Sequence, residues 1–213
     1  KDTQVRLGRA EKLVGQLADE GKRWGVTAAE MRATAPNVTG DSVLIAALYT
    51  YAGPFTASYR AGLLGEWIKD CQASKIHVDG DFSLARSQGD PLVIRDWYAM
   101  GMPSDAFSTD NGVMAVRAPR FPFMIDPQLQ ANRWVKNVEF SNQLRVLQQT
   151  NGDFLRTVEN ALSYGYPVLV ENAGDTLDPI LDPVLYRETF VRDGLRLVRL
   201  GDKTVTFHED FRL

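Results

Sequence analysis

The chain has 213 residues, of which 44% are hydrophobic and 24% are charged, with a formal net charge of −3. This length and hydrophobic content suffice for one large core, or for one core with an appendage. The acidic balance gives no electrostatic reason to expect nucleic acid or an anionic membrane as a partner, and no apolar run approaches the ~18 residues of a membrane span. The single cysteine, Cys71, excludes an internal disulfide. The first residue is lysine rather than methionine, which indicates a segment of a longer chain.

The first 24 residues carry apolar side chains at alternating spacings of three and four, the pattern of a coiled-coil seam. A surface helix of a bundle would show the same pattern, and the residues alone leave both interpretations open. In either case the helix needs a partner that the rest of the chain does not supply. The seam positions are Leu7, Ala10, Val14, Leu17 and Trp24, with Gly21 weakening one layer.

Between residues 27 and 73, capping patterns and apolar periodicity predict helices, whereas from residue 74 to 118 the turn residues are frequent and the periodicity is poor. One segment of the first stretch is apolar on all sides, which predicts a buried helix. The predicted elements are a helix or turn starting at Thr27–Glu30, a buried helix over 43–53, an amphipathic helix after Thr56, a short helix over 91–98 and a short strand over 113–116.

From residue 121 onward, buried strands alternate with helices, which predicts an α/β layered domain. Asp153 is placed to cap a helix that Gly165 ends, and the apolar run after it suits a strand buried in a parallel sheet. The predicted strands are 121–125, 144–147, 167–171, 195–200, 204–207 and 211–213, and the fourth and fifth of these form a hairpin.

The strand over 121–125 is followed by a polar turn and a helix, the layout of a phosphate-binding loop. Such a loop needs glycines for close backbone approach, a lysine for the phosphates and a hydroxyl for magnesium. The chain has neither glycine, nor the lysine, nor the hydroxyl at the corresponding places, so the residues argue against phosphate binding. The eight positions of this degenerate loop are Asp126, Pro127, Gln128, Leu129, Gln130, Ala131, Asn132 and Arg133.

A nucleotide hydrolase also needs a second strand that ends in two acidic residues, one for magnesium and one for the attacking water. The strand over 167–171 lies at the expected distance but ends in Glu171 and Asn172. Because an asparagine cannot act as a base, this acidic position is degenerate too. We therefore predict no catalytic residue and no metal ligand in the chain.

Six segments of the chain together resemble the dynein heavy chains, in order and at natural spacing. They are AEKLVGQLADEGKRW, YAGPFTASYR, GDPLVIRDW, MIDPQLQANRWVKN, PVLVENAGDTLDPILDP and LGDKTVTFHEDFRL. The match covers essentially all 213 residues and is more similar to the axonemal heavy chains, of cilia and flagella, than to the cytoplasmic one. It places the chain at the end of the stalk's return helix and in the large part of the fifth AAA+ module.

The resemblance implies an AAA+ fold, a P-loop-NTPase-like parallel sheet with flanking helices, preceded by a helix from the coiled-coil stalk. The implied boundaries are 1–34 for the stalk helix, 35–118 for a helical N-terminal part and 119–213 for the α/β core, without the helical lid. In this family the fifth module has lost its phosphate loop and is a structural member of the ring. One departure is Leu129, where the family often has glycine, and this makes nucleotide entry still less favourable.

The resemblance implies that the parent chain is an ATP-driven, minus-end-directed microtubule motor of the ciliary or flagellar axoneme. ATP and magnesium would act in other modules, and this segment would hold no cofactor. The implied partners are the neighbouring AAA+ modules, the partner helix of the stalk, the microtubule, and dynein intermediate and light chains. Two other hypotheses remain: a nucleotide-binding regulatory ATPase module, with adenine near 90–97, and an adaptor unrelated to motors.

Overall fold

A computed structural model describes the backbone of residues 2–174 and 176–213 and, within the first helix, the side chains from residue 17 onward. The chain divides into two compact units, residues 1–83 and 84–213. This division is a matter of packing and leaves the predicted module boundaries at residues 34 and 118 as predictions. Within the described residues, no helix combines the length and the apolar character needed to cross a bilayer.

Nine α-helices and five strands make up the described residues, together with a few single-turn helices. The helices are α1 (Asp2–Thr34), α2 (Val38–Ala47), α3 (Ala57–Ala73), α4 (Leu84–Gln88), α5 (Pro91–Ala99), α6 (Ala106–Arg117), α7 (Gln130–Val138), α8 (Phe154–Tyr164) and α9 (Asp182–Leu185). The strands are β1 (Arg145–Leu147), β2 (Val168–Val170), β3 (Thr189–Arg192), β4 (Leu195–Leu200) and β5 (Lys203–Thr206).

The first unit is helical and begins with the long helix α1. The predicted helix start at Thr27–Glu30 is wrong, because these residues lie inside α1. A capping pattern has no effect where the preceding residues already continue the helix, and α1 ends only before the Pro36 turn. The next helix α2 continues into a π-helical turn, Leu48–Ala52, so the predicted helix over 43–53 is present.

One side of the α2 segment is buried and the other is exposed, in contrast to the fully buried helix predicted for it. Leu44 and Ala52 are inaccessible to solvent, whereas Val43 and Tyr51 are 50% and 63% exposed. Gly40 permits close packing on this segment, since an added Cβ would lie 2.3 Å from the carbonyl oxygen of His77. Thr56 occupies the N-cap position of α3 as predicted, although its side chain makes no capping hydrogen bond.

In the second unit, two aspartates cap successive helices. Asp90 accepts a hydrogen bond from the backbone N–H of Leu92 at the start of α5, and Asp105 accepts one from Ser108 at the start of α6. The predicted helix over 91–98 is therefore confirmed. The predicted strand over 113–116 is wrong, because these residues belong to α6. The Asp105 cap starts a helix that continues through this apolar run.

Strands β1 and β2 form a parallel pair in which Arg145 is opposite Val168 and Leu147 is opposite Val170. The helix between them, α8, begins after Asp153 and ends at Gly165, which has a φ of 76°. A second sheet is antiparallel with the order β3-β4-β5. The predicted strands at 144–147 and 167–171 and the predicted hairpin are confirmed, and β3 is an addition that sequence reasoning missed.

Two of the predicted strands, 121–125 and 211–213, do not form strands in the structure. Residues 121–125 run outside both sheets, and Phe123 and Ile125 are 67% and 80% exposed. Residues 211–213 are irregular as well, although the carbonyl of Arg212 accepts a hydrogen bond of 2.8 Å from the N–H of Val168 at the start of β2. An apolar run predicts a strand only where a neighbouring strand can pair with it along its length.

The core of the second unit is a single cluster between α8, α9 and both sheets. Two of its members are Phe211 and Phe207, which are 2% and 7% exposed. The Phe211 ring makes edge-to-face contacts with Phe121 and Phe207, with ring centroids 5.8 Å apart in both cases. The other buried members are Leu147, Phe154, Val158, Ala161, Leu162, Val168, Leu181, Val184, Val198, Leu200 and Val205. Parallel strands, a crossover helix and a preceding helical region agree with the α/β class predicted from the sequence.

Candidate functional site

The turn between Ile125 and α7 positions a carboxylate at the helix N-terminus. The two oxygens of Asp126 accept hydrogen bonds from the backbone N–H groups of Gln130 (2.9 Å) and Asn132 (2.8 Å). These are N–H groups of the first turn, which a phosphate-binding loop would offer to its ligand. The protein's own anion takes them instead, so Asp126 caps the first turn of α7.

Leu129 precedes α7 in a left-handed conformation, with φ 57° and ψ 28°. Left-handed backbone costs an ordinary residue about 1 kcal/mol and costs glycine almost nothing. This geometry gives a physical reason for glycine at the position, which the resemblance assigned to many family members. The Leu129 side chain is 61% exposed, so packing contributes little to compensate.

On α7, two side chains four residues apart, one in the first turn and one in the last, reach the same carboxylate. Asn132 Nδ2 lies 2.7 Å and Lys136 Nζ 2.6 Å from Oε1 of Glu171, the residue that follows β2. Residues four apart share a face of a helix, which explains why both reach this oxygen. The side-chain amide of Asn132 thus bonds to a residue 39 positions away rather than to local backbone groups.

The electrostatics of this cluster keep Glu171 ionised. The hydrogen bond from Lys136, followed by the one from Asn132, holds the pKa of the Glu171 carboxyl below its usual range. The side chains of Lys136 and Glu171 are 41% and 23% exposed. A carboxylate with a lowered pKa, already paired to a lysine, is a poor general base for activating water.

The structure thus brings together Asp126, Asn132 and Glu171 among the residues predicted for the degenerate site. The remaining loop residues point elsewhere: Ala131 is half-buried, and Pro127, Gln128, Gln130 and Arg133 are exposed. Asn172 has a left-handed backbone with φ 51°. Within the part of the chain that the structure describes, no cluster of three or more His, Cys, Asp or Glu could hold a metal ion.

Two residues of this region were missed by sequence reasoning. Lys136 was detectable, since it lies one helical turn after Asn132 on a predicted helix. Gln149 gives no local signal. It follows β1, and its amide donates to the carbonyl of Ala173 (2.6 Å) and accepts from the N–H of Asp178 (2.9 Å), which ties down the loop after β2.

Of the predicted stalk seam, the structure describes the side chains of Leu17 and Trp24. They are 67% and 68% exposed, on a helix that continues unbroken to Thr34. The side chains of Leu7, Ala10 and Val14 lie outside the described residues. Large exposed apolar side chains on a long helix are typical of a surface that another element covers.

Comparison with known proteins assigns the two halves of the chain. A family model described as "ATP-binding dynein motor region" matches residues 95–213, and one described as "Microtubule-binding stalk of dynein motor" matches residues 1–70. The chain belongs to the dynein heavy-chain family. The AAA+ fold class expected from the resemblance is thereby confirmed, and so is a stalk-type segment in front of it.

Similar dynein chains include several axonemal ones. The chain is 43% identical to human dynein axonemal heavy chain 6, over 99% of this chain and 5% of that protein. It is 42% identical to mouse dynein axonemal heavy chain 3, over 97% and 5%. It is 43% identical to the dynein-1-beta heavy chain of the flagellar inner arm I1 complex of Chlamydomonas reinhardtii, over 100% and 5%. The chain therefore spans about a twentieth of the length of these relatives.

Proposed function

We propose that this segment is a structural, non-hydrolysing AAA+ module, the fifth in the ring of an axonemal dynein heavy chain. In this role the α/β core is a rigid member of the ring, and α1 couples movements of the ring to the stalk. The parent chain is then an ATP-driven, minus-end-directed microtubule motor of the ciliary or flagellar axoneme. ATP and magnesium act in its other modules, and intermediate and light chains assemble on it.

The observation that carries this proposal is the occupied N-terminus of α7. The Asp126 carboxylate uses the N–H groups of Gln130 and Asn132, and its negative charge repels an incoming phosphate. The lysine of a phosphate loop is replaced by Asn132, whose amide is held by Glu171. A nucleotide would have to displace an internal anion and would find no lysine at this position to repay that cost.

Equilibrium binding of a fluorescent ATP analogue with Mg²⁺, titrated to millimolar concentration, tests the proposal on this chain. We expect no saturable binding, because the phosphate-binding N–H groups are already hydrogen bonded. A matched variant, Ala131→Gly with Asn132→Lys, restores two informative loop positions. It should still show no ATP turnover, since Arg133 stands at the hydroxyl position and Asn172 at the second acidic position.

Saturable binding by the unmodified chain, reversed by unlabelled ATP, would contradict the structural role. It would favour the second hypothesis, a nucleotide-binding regulatory module. Turnover by the double variant would show instead that the acidic strand is competent, and that only the loop prevents hydrolysis. Circular dichroism of both proteins provides the control for folding.

A further inference from the structure

The antiparallel sheet β3-β4-β5 has one face buried and one face open. Its buried face carries Val198 and Val205, which are 0% and 6% exposed and belong to the core cluster. Helix α9 packs against β4, and α8 packs against β5. Because side chains alternate across a strand, the residues next to Val198 along β4 and next to Val205 along β5 lie on the opposite, open face.

The open face is apolar at its centre, which is unusual for the solvated side of an antiparallel sheet. Phe190 on β3 is directly opposite Leu197 on β4, and Leu195 is opposite Arg192 one step further along. Phe190 and Leu195 are 39% and 55% exposed. Cross-strand neighbours on one face lie about 5 Å apart, so these three apolar side chains form one continuous patch.

Two arginines flank this patch. Arg192 lies at the hairpin end of the face, and Arg199, opposite Thr204, lies at its other end. Arg192 is opposite Leu195, which lies four residues before Arg199 on β4. The two arginines are therefore separated by roughly 14 Å along the strand direction. We call Phe190, Arg192, Leu195, Leu197 and Arg199 the hairpin face.

The sheet offers these arginines little internal neutralisation. Its three strands contain no acidic residue. Asp193, in the turn, lies 3.6 Å from Arg192, but the two side chains are 88% and 77% exposed, and such pairs contribute little. Arg199 makes no ion pair with any described residue. The hairpin also extends past the core, since Val191, on the buried-face side, is 71% exposed.

We propose that the hairpin face is a docking surface for an acidic segment elsewhere in the same heavy chain. The segment carries an apolar centre with carboxylates roughly 14 Å apart, which matches the spacing of the two arginines. An exposed apolar patch rimmed by charge is typical of an interaction surface, and buried arginines are frequent anchors of such surfaces. The occupant is assigned to the same chain because the matched relatives are about twenty times longer than this segment.

A photo-cross-linking amino acid at Leu195 of the intact heavy chain, in its native complex, tests this proposal. We expect cross-links into a distant peptide of the same heavy chain that contains at least two carboxylates. The charge reversals Arg192→Glu and Arg199→Glu together should lower the cross-link yield by about tenfold or more, since both flanking contacts become repulsive. Tyr164, which is 66% exposed outside this sheet, provides the control position for the photo-cross-linker.

Arg196→Glu is the matched control for charge, because Arg196 is on the same strand but on the other face. Its cross-link yield should stay close to that of the unmodified chain. An equal loss in the Arg196 variant, or cross-links to tubulin or to another subunit, would overturn the proposal. Arg199→Gln serves where charge reversal prevents folding, and a yield unchanged by it would count against the proposal as well. The proposal rests on family membership and is independent of whether the module binds nucleotide.

Discussion

Glu171 stands at the position that the sequence predicts for the acidic end of a nucleotide-hydrolase strand, and its contacts in the structure tie two elements together. It stands after β2, where an NTPase would place an acid for magnesium, yet its carboxylate bridges Asn132 and Lys136 of α7. The bridge connects two elements 35 or more residues apart in sequence. In the proposed structural role, the carboxylate that an active module would offer to magnesium instead connects α7 to β2.

We predict that Glu171→Gln lowers the free energy of unfolding by about 1 kcal/mol at pH 7. Charge-assisted hydrogen bonds contribute somewhat more than this when buried, and partial exposure reduces their effect. For a chain of this size such a loss corresponds to roughly 2–4 °C in the unfolding temperature. The matched control is Glu159→Gln, whose partner Lys203 is 61% exposed and whose loss should matter less.

The same variant has a defined pH dependence. The pKa of Glu171 is lower in the folded chain than its ordinary value of 4.5, so its stabilisation is present above that value. It is lost as the pH falls through the folded-state pKa. The difference in unfolding temperature between the wild type and Glu171→Gln should be constant from pH 7 to pH 5 and shrink at lower pH. A difference that does not shrink at any pH below 4.5 would mean that the ionised carboxylate is not its source.

The site residues differ in how far away in sequence their interaction partners lie, and this difference decides which of their contacts were predictable. Asp126 was predictable as a cap because it bonds to N–H groups four and six positions ahead. The partner of Asn132 was not predictable, since Glu171 is brought to it only by the packing of α7 beside β2. The left-handed Leu129 also escapes prediction, because a leucine carries no local signal for positive φ.

At the scale of elements, helices and locally paired strands followed the sequence well. The hairpin β4-β5 is joined by the short turn that its Gly201 indicates, and α8 lies between Asp153 and Gly165 as predicted. The error at residues 121–125 arose because its outcome depends on a distant partner. The 121–125 run is as apolar as β2, yet it is not assigned as a strand, because no strand pairs with it in the described residues.

Leu17 on α1 and Leu44 on α2 are both helical leucines in opposite environments, and this contrast gives a prediction at the scale of elements. Leu17 is 67% exposed and Leu44 is fully buried. Leu17→Asp should change the free energy of unfolding of this chain by no more than about 0.5 kcal/mol, whereas Leu44→Asp should abolish the folded state of the first unit. Thermal unfolding followed by circular dichroism measures both.

In the intact heavy chain the proposed coupling role gives a different expectation for Leu17→Asp, because the proposed stalk partner helix would cover this residue. A charge in the apolar seam should weaken the helix pairing and reduce microtubule-stimulated ATPase activity. Normal activity of that variant would remove Leu17 from the coupling path. Loss of the isolated chain's thermal transition would show instead that α1 belongs to its core.

At the scale of the whole molecule, the α/β class followed from the alternation of strands and helices, and the division into two compact units did not. The predicted boundaries at residues 34 and 118 came from the resemblance and separate modules of the family. The two compact units are instead separated according to which residues share a core. The first unit buries Leu44, Leu48 and Ala52, and the second buries a cluster that includes Phe211. No local sequence pattern indicates to which of the two cores a given apolar residue belongs.

The two cores predict a separable response to mutation. Phe211→Ala removes the ring that contacts both Phe121 and Phe207, and such truncations cost about 3–5 kcal/mol. That is a large share of the ~5–15 kcal/mol by which a domain is stable. Hydrogen exchange measured by mass spectrometry should show lost protection in α8 and β2, with α2 and α3 unaffected. Leu44→Ala is the reciprocal control and should affect α2 and α3 alone. Equal loss of protection in both units after either substitution would mean that the two cores unfold as one cooperative structure.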